Sequence, residues 1–129
     1  MKKIRRIITA ALAVAALTAS VSVTANAVTP RNQVTNGICA FEWSAGKAKV
    51  TNITTIKRTA YASVTVFDDV TGDQVAYDFD TNGISYNGSV SVSVSGYSSS
   101  NYNFKCSGGI YNTVDTSSGL AWSGTYIVN

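Results

Sequence analysis

The chain has 129 residues, with ten Lys and Arg, seven Asp and Glu, no His and two Cys, giving a formal charge of +3 and a sequence pI of about 9.0. A chain of this length builds one domain. Without histidine there is no Ser-His-Asp triad, no Cys-His pair and no His-rich metal site, and two Cys cannot complete a four-cysteine zinc site.

Residues 1–27 have the make-up of a cleavable secretory signal peptide. Lys2, Lys3, Arg5 and Arg6 form a basic start, Ile7 to Leu17 an apolar run, and Ala25-Asn26-Ala27 the small residues a signal peptidase needs. Thr and Ser interrupt the second half of the apolar stretch, which argues against a retained membrane span. Cleavage after Ala27 removes four basic residues and no acid, leaving six basic against seven acidic groups. The basic balance therefore belongs to the export signal. The expected product is secreted and extracellular, with no nucleic-acid partner and no stable membrane anchor.

Residues 28–37 read as a flexible polar arm, and 38–129 as a single all-β domain. Cys39, Phe41 and Trp43 alternate with polar residues, as do Ala48 and Val50, which predicts a hairpin turning at Ala45-Gly46 with Glu42 opposite Lys49. A three-strand meander is predicted over 59–67, 74–80 and 84–96. Asn82-Gly83 is a strong type I′ hairpin signal, and a loop at 69–72 would pair Val66 with Val75, Val64 with Tyr77 and Ala62 with Phe79. That register turns Asp78 and Asp80 outward. Tyr102 to Cys106, Ile110 to Val114 and Trp122 to Val128 complete about eight short antiparallel strands, the pattern of a small β-sandwich or barrel.

Cys39 and Cys106 each share a strand face with aromatic residues, so an exported chain with two Cys predicts a disulfide between them. Closing that loop contributes about 4 kcal/mol in the chain-entropy model. The alternative is two buried free thiols.

Asp78-Phe79-Asp80-Thr81-Asn82-Gly83 matches the first half of a calcium loop, making Asp78, Asp80 and Asn82 candidate ligands, but Ser89 stands where the closing Glu belongs. No cofactor is therefore expected, with calcium as the alternative. The predicted outer face of the meander gathers Tyr61, Ser63, Asp78, Asp80, Ser85 and Asn87. An aromatic plate beside hydroxyl, amide and carboxylate groups suits an extracellular glycan or a protein surface. The expected function is thus a secreted, non-catalytic binding module. Two alternatives remain. The charge-free 84–104 region resembles the wall of a membrane-active or self-assembling β toxin, and Asp78 with Asp80 could form a hydrolase pair.

Overall fold

The computed structural model describes residues 32–129; the expected signal peptide (1–27) and residues 28–31 of the arm lie outside that span. Within it, the period-two patterning becomes β1 (Asn32–Thr35), β2 (Cys39–Ser44), β3 (Lys47–Asn52), β4 (Arg58–Asp68), β5 (Gln74–Ile84), β6 (Ser89–Ser93), β7 (Tyr102–Tyr111) and β8 (Leu120–Val128). These strands form two four-stranded antiparallel sheets, ordered β1-β2-β3-β6 (sheet A) and β5-β4-β7-β8 (sheet B). The fold is the small β-sandwich that the alternation predicts.

Alternate residues of the strands fill the space between the sheets. Phe41, Trp43, Ala48, Val50, Val90 and Val92 come from sheet A; Ala60, Ala62, Val64, Val66, Phe104, Ile110 and Tyr126 come from sheet B. Each larger side chain buried in this way contributes about 1.5–3 kcal/mol over leaving it exposed. Rings join the two layers: Trp43 stacks on Tyr126 with centroids 4.0 Å apart and planes 8° from parallel. Phe41 lies 5.8 Å from Tyr126 and 5.6 Å from Trp122.

The β2–β3 hairpin has its predicted turn and register. Gly46 adopts a φ of +86°, and Glu42 stands opposite Lys49. Part of the predicted arm is a strand instead: Asn32–Thr35 pairs with β2, and Val34 packs against the core.

The meander requires two corrections. Asn82-Gly83 is not a turn, because β5 runs straight through it to Ile84 and Gly83 has no positive φ. The chain turns at Ser85–Gly88 instead, where Asn87 holds a φ of +66° and the Gly88 N–H bonds to the Ser85 carbonyl at 2.8 Å. The third predicted strand then crosses to sheet A and pairs with β3, setting Val90 against Val50 and Val92 against Ala48. Alternation specifies that a valine face is buried. It does not specify which sheet buries it.

The β4–β5 register is also shifted by one residue. An irregularity at Val66/Phe67 pairs Val66 with Ala76, Val64 with Asp78 and Ala62 with Asp80. Tyr77 and Phe79 consequently face outward. Such a slip would bury two carboxylates in a central strand, but β5 is the edge of sheet B, and both Asp78 and Asp80 remain exposed there.

The predicted disulfide is absent: Cys39 and Cys106 are free, buried thiols. Cys39 opens β2, whereas the Cys106 Sγ donates to the carbonyl of Ser44, which closes it, at 3.4 Å. Five residue steps along a strand separate those ends by roughly 16 Å. A disulfide needs Cα atoms within about 7 Å. Burial pushes the Cys39 thiol up to about 11, against the opposing effects of an Asn36 hydrogen bond and the Arg58 charge, and the Cys106 thiol up to about 12.

Candidate ligand-binding face

Two features of sheet B set its outer face apart. Three of its four strands contribute aromatic rings, and two consecutive glycines in β7 let groups approach from both sides. Gly108 faces inward, where a Cβ would lie 2.5 Å from Phe41 Cε1 and 2.6 Å from Val50 Cγ2. Gly109 faces outward, where a Cβ would lie 2.4 Å from Tyr61 Cε2. The Tyr61 ring thus occupies the space above Gly109. The sequence pattern ends one strand at Cys106 and begins the next at Ile110, but β7 passes through Ser107-Gly108-Gly109 unbroken, because side chains of the facing sheet and of β4 demand the two glycines.

The registers place the outer-facing residues on a grid. Thr81, Tyr61, Gly109 and Ser123 form one row across β5, β4, β7 and β8; Phe79, Ser63, Ser107 and Thr125 form the next; Tyr77, Thr65, Lys105 and Ile127 form the third. The rings run diagonally through it. Phe79 lies 6.1 Å from Tyr61 with the planes 22° apart, and Tyr111 lies 6.4 Å from Tyr61 with the planes 56° apart. Phe79 and Tyr77 are about half exposed, at 47% and 56%. Beside the diagonal stand hydroxyl side chains, among them the Ser107 and Thr125 pair at 3.0 Å, with Lys105 and Ile127 in the third row.

Tyr61, Phe79, Thr81, Tyr111, Thr116 and Leu120 line a depression of about 440 Å³, and none of them is charged. That volume falls within the range of about 300–1,000 Å³ typical of small-ligand sites. Burial holds the Tyr61 phenol above the ordinary tyrosine range, with a smaller push from Tyr111. The Tyr61 hydroxyl therefore stays a neutral donor–acceptor well past neutral pH. Lys105, further down the face, is lowered by its own burial.

Of the sequence-predicted site residues, Tyr61 and Ser63 share this face. Asp78 and Asp80 sit on the opposite side of β5, while Ser85 and Asn87 belong to the turn that leaves it. The structure therefore does not gather the six into one site. Asp78, Asp80 and Asn82 lie along an extended strand, and each Oδ1 accepts the next residue's N–H, at 3.0, 2.9 and 2.9 Å for Phe79, Thr81 and Gly83. Among the described residues, no group of three His, Cys, Asp or Glu converges on a point.

Sequence reading missed Phe79, Tyr77, Tyr111 and Leu120 as outward-facing residues. The first two were assigned to the core by the unshifted register. Tyr111 and Leu120 belong to β7 and β8, whose pairing no local pattern discloses. Paired glycines next to a hydrophobic strand were the available signal for close approach.

No family model and no curated protein matches this chain. Among solved structures it is similar to a β-glucuronidase of Bacteroides uniformis, at a TM-score of 0.37 and 8% identity. That match covers 74% of this chain and 12% of the enzyme. A likeness so distant carries no functional argument.

Proposed function

We propose that this chain is a secreted, non-catalytic binding module that engages an extracellular glycan through the outer face of β5, β4 and β7. The single observation that carries the reading is the diagonal of Phe79, Tyr61 and Tyr111 along an uncharged depression flanked by Ser and Thr hydroxyls. The rings stack on the C–H faces of sugars, and Tyr, Ser and Thr hydroxyls exchange hydrogen bonds with sugar hydroxyls. A rigid sheet holds the rings in place before the ligand arrives, so little ordering entropy opposes binding. The Tyr, Ser and Thr content of the face also suits a protein surface, which is the second reading.

A membrane-active role for residues 84–104 receives less support. Val90 and Val92 are buried between the sheets, leaving Ser89, Ser91 and Ser93 outside, so β6 presents no apolar wall to lipid. No described helix is long and apolar enough to cross a membrane, although that has no bearing on strands. The two roles separate in one experiment. The protein is incubated with insoluble cellulose, chitin, mannan and peptidoglycan, and in parallel with dye-loaded vesicles. Retention on a polysaccharide without dye release is the expected result; dye release without retention would overturn the proposal.

A further inference from the structure

The aromatic diagonal is closed at one end and open at the other. Residues 112–119, which connect β7 to β8, fold over the outer face at the far end of β5. There Val114 Cγ1 would sit 3.9 Å from a Cβ on Gly83, and the Thr59 Oγ1 donates to the Val114 carbonyl at 2.7 Å. Thr116 and Leu120 from the same region stand beside Tyr61 and Tyr111 as the wall of the depression. Tyr111 itself tilts 56° from Tyr61, whereas Phe79 on the open side is within 22° of it. Phe79 and Tyr77, about half exposed, continue the floor on the open side, whereas residues 112–119 cover the other end, where Val114 meets Gly83.

The wall is built, not loose. Asp115 Oδ1 accepts from the Ser117 N–H at 2.9 Å and from the Ser117 hydroxyl at 2.8 Å, which holds its carboxyl below the usual aspartate range. The Asn112 Nδ2 donates to the carbonyls of Ser118 and Gly119 at 2.9 and 3.0 Å. From beneath, one Arg58 nitrogen donates to the carbonyls of Tyr111 and Asn112 at 3.2 and 2.9 Å. A loop tied at so many points resists displacement by an arriving chain.

Resting on the proposed glycan reading, we infer that the face recognises the end of a glycan and not its interior. The terminal sugar stacks on Tyr61 inside the depression, against the wall of Tyr111, Thr116 and Leu120, and the chain leaves over Phe79 toward Tyr77. An internal stretch cannot lie along this track, because it would have to continue through residues 112–119.

The test is a ladder of soluble cello-, chito- and manno-oligosaccharides of one to six units, titrated calorimetrically into the protein. The best-binding trimer is then compared with forms blocked at one end or the other by O-methylation. Affinity should stop rising by about three units, the number of rings along the track from Tyr61 over Phe79 to Tyr77, and blocking one particular end should weaken binding at least about tenfold. The double variant Thr116→Ala/Leu120→Ala, which lowers the wall at two exposed positions, should reduce that penalty while keeping the melting temperature. Affinity that climbs through six units, or indifference to both blocks, would overturn end recognition and leave the glycan reading standing. Failure of every oligosaccharide to bind would overturn both.

Discussion

Adjacent glycines with opposite roles offer a sharp test of how the two sheets pack. Gly108→Ala places a methyl group 2.5 Å from Phe41 Cε1 and 2.6 Å from Val50 Cγ2, both on fully buried side chains of the facing sheet. Carbon atoms rest comfortably at about 3.5–4.0 Å, so two side chains must each give way by about 1 Å in a core without slack. Overpacking of that kind costs about 2–3 kcal/mol, which lowers the melting temperature of a domain this size by roughly 10–20 °C. Gly109→Ala intrudes as far, at 2.4 Å, but on the ring edge of Tyr61, which borders solvent and can swing away. Its expected cost is at most about 1 kcal/mol. Lifting that ring should nevertheless weaken glycan retention at least about tenfold, since a sugar that no longer stacks on it forfeits about 1.4 kcal/mol or more. Thermal melts and urea titrations of both variants, paired with retention on polysaccharide, give a crossed result: one loses stability and keeps binding, the other the reverse. If Gly108→Ala melts like the parent, or Gly109→Ala binds like it, the reasoning fails at that residue.

Other consequences follow from the same geometry. Both thiols should resist Ellman's reagent in the native protein at pH 8 and react fully in denaturant; no thiol signal in non-reducing denaturant would mean a disulfide. Because burial raises the folded thiols to about 11 and 12 from an unfolded value of 9.0, the stability they contribute is complete below pH 9 and declines as pH rises toward 12. Chemical denaturation across that window should show the decline, and it should shrink in a Cys39→Ser/Cys106→Ser variant. Asn52→Ala should destabilise by about 3 kcal/mol in urea unfolding. Its amide bonds the carbonyls of Ile56 and Ile84 at 2.8 and 2.9 Å and accepts from the Thr54 N–H at 2.9 Å, so a neutral result would contradict that network. Finally, Asp78→Ala/Asp80→Ala/Asn82→Ala should promote edge-to-edge association by light scattering, and a strictly unchanged mass would refute a protective role for these side chains.

The D-x-D-x-N run shows why part of this fold was legible in sequence and part was not. In a single segment it reads as a hairpin approach or a calcium loop. In the sheet it protects an edge. The Thr59 N–H bonds to the Thr113 carbonyl on the β7 side, so alternation sends the N–H groups of Ala60, Ala62 and Val64 toward β5. Their partners Asn82, Asp80 and Asp78 point back at β4, which leaves the N–H groups of Phe79, Thr81 and Gly83 on the open edge. Those three are the groups that the preceding side chains cap. Charged side chains on inward positions, together with occupied edge donors, discourage strand addition.

Alternation and turn chemistry were sufficient for the β2–β3 hairpin, because Gly46 and the Glu42–Lys49 pairing are local. The β4–β5 register depended on an irregularity at Val66/Phe67 and on β5 being an edge strand, and neither is encoded within the pairing segment. Tyr61 was identified as an outward plate because its own strand alternates cleanly. Its partners Phe79 and Tyr111 were not, since they depend on a shifted register and on a strand that continues through Gly108-Gly109. Asn52 carried no sequence signal at all: its role emerges only when β6 returns to sheet A and the Asn87 N–H meets the Asn52 carbonyl at 2.7 Å.

The most direct measurement is the retention of Tyr61→Ala, beside Phe79→Ala, on whichever polysaccharide retains the parent protein. Both rings are partly exposed and lie outside the core, so both variants should keep the parent fold by circular dichroism and melt within about 1 kcal/mol of it. Each should lose at least about tenfold in affinity, with the larger loss at Tyr61, which touches both of its ring neighbours. Folded variants that bind as tightly as the parent would contradict a glycan site on this face.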